Sequence, residues 1–392
     1  SCATYQGVVK QARDTLKHDP HKAVKMLEKP AAEEGKDQLV YLFDYGTALQ
    51  LAGDYRRSNE ILLQADRMAE VKDYHSISKQ ALSLLANEEQ VQYKGDDYEK
   101  VLINAMLGIN FLMMGDLDGA LVETRRLNQK LEHYRIDAKK NYEQNVFAVY
   151  LGGLIWESNR DWDDAYIAFE KAYKLNSGIP YLKEDLLRAA LNARRSEKAR
   201  EWQKKFGVQP KPEWKNRGLG ELVLIYQQGW GPRKYPHPTW HRIPKLYPVH
   251  TITVGAKLII DSKKISEPTQ QIYSVEEVAI KTLDDQYAPL VAKRVGAVVA
   301  KKVVADQIRQ KNEVAGFLAD IVMQASDRAD LRQWSTLPES FQIAKVLLKP
   351  GTYKVRVEGV DENGSPTGEA MFDREFEVKP GKKTFFTWRS FQ

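Results

Sequence analysis

One local pattern recurs three times in the first half of the chain, and it restricts the fold more than any other feature. It runs Tyr45-Gly46-Thr47-Ala48-Leu49, then Ala52-Gly53-Asp54-Tyr55, then Ile61 to Ala65. It returns as Leu107-Gly108-Ile109-Asn110-Phe111, then Met114-Gly115-Asp116-Leu117, then Gly119 to Glu123. It returns again as Gly152-Gly153-Leu154-Ile155-Trp156, then Asn159-Arg160-Asp161-Trp162, then Ala165 to Ala172. Each copy has a small residue, a large one three positions on, a turn containing Asp, and a small residue that opens a second helical stretch. Two helices joined by a tight turn need room where they cross. Gly46, Gly108 and Gly153 are expected to leave it, and Leu49, Phe111 and Trp156 to fill the space beside it. Asp54, Asp116 and Asp161 fall where the chain reverses and are expected to cap the following helix. Thr124 stands where Phe169 supplies an aromatic in the third copy.

This is the signature of tetratricopeptide-type helical hairpins. The intervals are irregular: Gly46 to Gly108 is 62 residues and Gly108 to Gly153 is 45, against about 34 in an unembellished array. Extra helix is expected around Ser76 to Asn87, and long helices or an insertion around Lys130 to Lys140. Flanking hairpins are expected at Tyr5 to Lys17 with His21 to Lys29, broken at Asp19-Pro20, and at Tyr181 to Ala193 with Glu197 to Phe206. The repeat domain then covers 5–210. The groove positions of the repeat family map onto Phe43, Ile109, Leu112, Phe147, Tyr150 and Leu154, among others. They are mostly apolar and lack the Lys and Asn residues that clamp a peptide carboxylate. Either the protein's own extra helices fill this groove, or it receives a helix or extended segment of a partner.

The second half changes character. Residues 229–248 hold five prolines in twenty positions, which excludes helix and any central strand. Trp230, Tyr235 and Trp240 are interleaved there with Arg233, Lys234 and Arg242. They form either a docking arm or a crossing loop pinned to its own domain. His237 and His241 lose helical spacing on such a backbone, so no metal is expected. Strands are expected at Glu221 to Gln227, His250 to Ile260, Phe341 to Leu348, Thr352 to Val360, Ala370 to Val378 and Lys383 to Trp388. Helices at Val275 to Leu283 and Tyr287 to Lys311 interrupt them. The basic face of the second helix either lies on an anionic membrane or is simply solvated. The fold class is therefore multidomain: an all-α repeat stack, then an α+β domain at 219–392 with an antiparallel sheet and a helical insertion at 275–324.

No Gly-rich phosphate loop, HExxH or nucleophile elbow is present, and no cofactor is expected. Asp327 and Asp330 lie beside Trp334 in a loop. As a remote alternative they are acid/base residues of an envelope hydrolase; the plainer reading has Asp330 capping the backbone and Trp334 anchored in the core. A net charge of +6 over 392 residues does not indicate nucleic-acid binding. The most apolar long stretch, Ala288 to Ala305, is broken by four basic residues, so it does not read as a membrane span.

The single cysteine is Cys2, in Ser1-Cys2-Ala3-Thr4. Bacterial lipoproteins carry lipid on a cysteine at the processed N-terminus, after a small residue. The competing reading is an ordinary cytosolic start that has lost its Met. Three segments bear on the choice. Leu112 to Arg126, Tyr93 to Leu102 and Ala329 to Pro338 resemble segments of a family of bacterial tetratricopeptide lipoproteins, over about residues 40 to 360. The resemblance implies export, a lipid on Cys2 as a tether at 1–4, protein partners in the cell envelope and no assigned enzymatic activity. Ala3, rather than Asp, after the cysteine implies the periplasmic side of the outer membrane. The expectation is a non-enzymatic periplasmic scaffold, with a soluble cytosolic adaptor lacking lipid as the alternative.

Overall fold

Among the described residues of the first half, ten helices form five hairpins. The computed structural model describes residues 5–74, 92–136, 145–239, 241, 243–285 and 329–392. The first hairpin joins α1 (Tyr5–Leu16) to α2 (Pro20–Ala32). Asp19 starts α2 by accepting a 2.9 Å hydrogen bond from the Lys22 amide, and Pro20 takes the first helical position, where no N–H is needed. Next come α3 (Gln38–Leu51) with α4 (Tyr55–Tyr74), and α5 (Asp97–Met113) with α6 (Leu117–Ile136). The last two pairs are α7 (Val146–Ser158) with α8 (Trp162–Leu175), and α9 (Tyr181–Asn192) with α10 (Ser196–Phe206).

The repeat residues act differently from copy to copy. At Gly46 an added Cβ would lie 2.6 Å from Leu62 Cδ2, and at Gly153 it would lie 2.5 Å from Phe169 Cε1. A methyl group at either crossing would force the facing side chain to shift. At Gly108 the nearest atoms are 3.9 Å away, so the second crossing has space for a methyl group. Asp54 and Asp116 accept from the amides of Arg57 (3.2 Å) and Gly119 (2.8 Å), as cap residues do. Asp161 makes no such bond, so the expectation of a cap fails at the third turn. Ser76 to Asn87 and the helix expected at Tyr287 to Lys311 lie outside the described residues.

The C-terminal half supplies two four-stranded sheets. The first has the order β10 (Lys383–Arg389), β1 (Gly220–Gln228), β7 (Ser340–Leu348), β6 (Gln270–Ser274). The second has the order β5 (Ile265–Pro268), β4 (Gly255–Ile260), β8 (Gly351–Val360), β9 (Pro366–Val378). Their facing side chains, among them Leu222, Leu224, Leu258, Ala344, Val355, Val357 and Phe386, form one apolar core. Every residue of β1 is buried, because it is central in its sheet and covered on both faces. The pairing of β1 with β10 is parallel, so the first sheet is mixed where an antiparallel one was expected. The alternation at His250 to Ile260 overstated a strand. Pairing starts only at Gly255, and Ile252 is 73% exposed. A short hairpin, β2 (Arg233–Pro236) with β3 (Pro244–Tyr247), lies within the Pro-rich stretch, and α11 (Val275–Asp285) follows β6.

The chain divides into two compact units. One comprises 1–103, 231–249 and 276–337; the other comprises 104–230, 250–275 and 338–392. Neither unit is a single contiguous stretch of chain. Each unit takes helices from the repeat region and segments from the second half, because the inward face of the hairpins is closed by C-terminal residues.

Candidate functional site

In the first unit the chain fills its own groove. The Phe43 ring stacks on Trp334 with centroids 4.6 Å apart and planes 12° apart. The Trp334 indole N–H donates to Thr47 Oγ1 at 2.8 Å, one turn further along α3. Two buried carboxylates hold the strand of chain around this tryptophan. Asp44 accepts from the Thr336 amide (3.0 Å), Thr336 Oγ1 (2.9 Å) and Ser335 Oγ (3.2 Å). Glu99 accepts from the Trp334 amide (2.5 Å), the Asp96 amide (2.8 Å) and Tyr93 Oη (2.5 Å). Burial pushes Asp44 up to about 6, although bonds from Thr336 and Ser335 and the Arg13 charge oppose it. Burial, then the nearby Asp96 charge, pushes Glu99 up to about 7 against the pull of Lys234. These are elevated carboxyls of the kind that catalytic sites use, but each is enclosed by donors that anchor Arg332 to Thr336. Asp330 accepts from the Arg332 amide and side chain (3.0 and 2.9 Å), and Arg332 also pairs with Asp37 at 3.0 Å. Asp330 thus forms a hydrogen-bonded corner. Asp327 lies outside the described residues.

In the second unit the same thing happens at the next groove positions. Phe147 stacks on Phe341 of β7 at 4.5 Å, and Tyr150 Oη donates to Asp185 at 2.6 Å. Ile109, Leu112, Phe147, Tyr150 and Leu154 are all buried. None of the six groove residues is therefore open to a partner. Among the described residues, Trp334 covers Phe43 and Phe341 covers Phe147. In the Pro-rich stretch Trp230 is also interior, its indole donating to the Phe391 carbonyl at 3.1 Å. Tyr235 is 55% exposed. Trp240 lies outside the described residues, as does Cys2. His237 Nδ1 accepts from the Thr239 amide, and no group of three potential metal ligands occurs among the described residues.

An unforeseen feature of this unit is a buried ion cluster. Glu157 is held by Arg188 (Nη2 to Oε2, 3.0 Å) and by Lys383 (2.9 Å). Lys383 also pairs with Glu221. Asp185 receives Arg188 (2.7 Å) and Lys345 (2.6 Å). Burial alone would raise the Glu157 carboxyl, but Arg188 and Lys383 outweigh it and hold it well below the usual carboxylate range. Three acids and three bases thus compensate one another away from water, which is the condition under which buried charge is tolerated. Above this cluster opens a cavity of about 300 Å³. Its floor is Glu157, Arg188, Glu221 and Lys383; its walls include Trp162, Trp214, Arg160, Lys215, Arg217 and Lys382. The signal was scattered over α7, α9, β1, β7 and β10, with no spacing to reveal it.

Several solved structures are similar over about half the chain. MamA of AMB-1 is 16% identical, covering 52% of this chain and 95% of its own, with a TM-score of 0.33. The putative kinesin light chain TPR-like repeats of Podosopora anserina are 14% identical, covering 51% and 92%, with a TM-score of 0.34. A tetratricopeptide repeat protein from Parabacteroides merdae is 14% identical, covering 51% and 64%, also at 0.34. No family model and no curated protein matches the chain. The fold assignment stands on the chain's own hairpins.

Proposed function

We propose that the protein is a non-enzymatic scaffold that mediates protein–protein interaction in a bacterial cell-envelope assembly, held by a lipid on Cys2 at the periplasmic side of the outer membrane. The observation that carries the scaffold reading is the use made of the buried ionisable groups. Asp44 and Glu99 hold backbone, and Glu157, Asp185 and Glu221 neutralise cations, so these groups stiffen a frame of helical hairpins. Helical repeats of this kind present extended surfaces to partners. With the inward positions closed, contact falls to the outer faces of the hairpins and to exposed loops. The anchor reading is supported by the lipoprotein resemblance of the segments quoted above. A soluble adaptor with the same folds is the competing reading.

The scaffold is tested by crosslinking in living cells of the native host, followed by mass analysis of adducts on this chain. The expected result is a discrete heterologous adduct, recovered with membranes, that persists when Phe43 is replaced by Leu. Absence of any heterologous adduct across a range of crosslinker lengths contradicts the scaffold.

A further inference from the structure

The hairpin turns differ at one position. Gly53 and Gly115 take left-handed φ values of +81° and +76°, but the turn between α7 and α8 places Arg160 there at φ +64°. A side chain in that conformation costs about 1 kcal/mol relative to glycine. The turn between α9 and α10 also uses arginine, Arg194 at φ +58°, but that residue is not part of the cavity wall. Arg160 is. Its guanidinium lies against Gly381, whose own left-handed φ of +65° and missing Cβ let it approach.

Arg160 meets other cations there. Lys215 and Arg217 come from the segment that leads into β1, and Lys382 from the turn before β10. None of these four pairs with a carboxylate among the described residues. The floor cations, Arg188 and Lys383, are already matched by acids. The exposed wall is thus left with four cations against one exposed carboxylate, Glu213. Two indoles, Trp162 and Trp214, give the same cavity flat apolar walls, while Ser158 and Asn192 add polar groups.

We propose that this cavity binds a small ring-bearing oxyanion of sugar-phosphate or sugar-acid size, with the phosphate or carboxylate between Arg160, Arg217 and Lys382 and the ring against the indoles. Planar guanidinium groups match the two-oxygen edge of such anions. Indole faces accept the apolar face of a ring. A volume of about 300 Å³ lies at the lower end for ligand pockets, which favours one ring over a polymer. The ion cluster beneath supplies a rigid, charge-neutral floor, so the binding charge comes from the walls. This inference is independent of the scaffold reading.

The test is calorimetric titration of the full chain at low salt with glucose 6-phosphate, glucuronate, glucose and inorganic phosphate. Arg160→Gly is the informative variant, because glycine suits the turn and folding is preserved; Arg217→Ala is the second. At least one of glucose 6-phosphate and glucuronate is expected to bind saturably, and which of them does so separates phosphate from carboxylate recognition. Each variant should weaken that binding about tenfold or more, equivalent to 1.4 kcal/mol, and added salt should weaken it further. No saturable heat with either oxyanion, or unchanged affinity in both variants, overturns the site. Equal binding of glucose removes the oxyanion from the proposal, and equal binding of inorganic phosphate removes the ring.

Discussion

Glycine at a helix crossing matters only as much as the atoms that would meet its missing Cβ. Gly108 and Gly153 occupy the same place in their hairpins. At Gly153 the opposing atoms belong to the Phe169 ring, which is fully buried and has nowhere to go. At Gly108 the opposing atoms stand at ordinary contact distance. Gly153→Ala is therefore expected to destabilise the protein by about 1–3 kcal/mol through overpacking. Gly108→Ala should be neutral, or stabilising by up to about 1 kcal/mol through helix propensity. Urea unfolding of the two variants checks this, and equal losses would mean that both crossings are equally tight. The sequence pattern showed that all three glycines belong to hairpins. It did not show which were sterically required, because that depends on the partner helix: Leu62 and Phe169 press on their glycines, whereas Glu123 opposite Gly108 stands clear. The third turn was misjudged for a related reason. Its Asp161 matches Asp54 and Asp116 in sequence but makes no cap bond, and Arg160 stands where the others have glycine.

Among the elements, the segment from Ala329 to Leu337 departs most from what its sequence showed. Trp334 was read as a core anchor, but nothing local in Ala329 to Pro338 shows that Phe43 and Thr47 receive it. Its partners are some 290 positions away, and hydrophobic periodicity carries no information at that range. The two acids that hold it make its stability sensitive to pH. Burial raises Asp44 from an ordinary value of 3.8 to about 6. Between those values the folded state keeps a proton that the unfolded chain has lost, so stability falls as pH rises through the window and levels off above it. Asp44→Asn keeps an acceptor for Thr336 and cannot ionise. The stability of the wild type relative to Asp44→Asn should therefore fall between pH 4 and pH 7, by on the order of 2–3 kcal/mol. Chemical unfolding at several pH values measures it, and a difference that is flat with pH would show that Asp44 is not raised in the folded protein. Glu99 acts in the same direction, up to about 7, and remains in both proteins.

At the scale of the whole molecule, the described hairpins, the order of helices before strands and most described strand positions were legible, since each rests on local periodicity and turn chemistry. The two compact units were not, because each combines distant segments: Trp334 with Phe43 in one, Phe341 with Phe147 in the other. The ion cluster and the cavity above it were invisible for the same reason. Under the proposed function the hairpins serve as a frame, and the lipid anchor decides where that frame acts. The account therefore turns on Cys2. The most direct measurement is the intact mass of the N-terminal peptide from protein purified out of its native host. The account predicts a peptide that begins at Cys2 and carries diacylglyceryl and acyl mass; an unmodified Cys2 in the mature protein would contradict it.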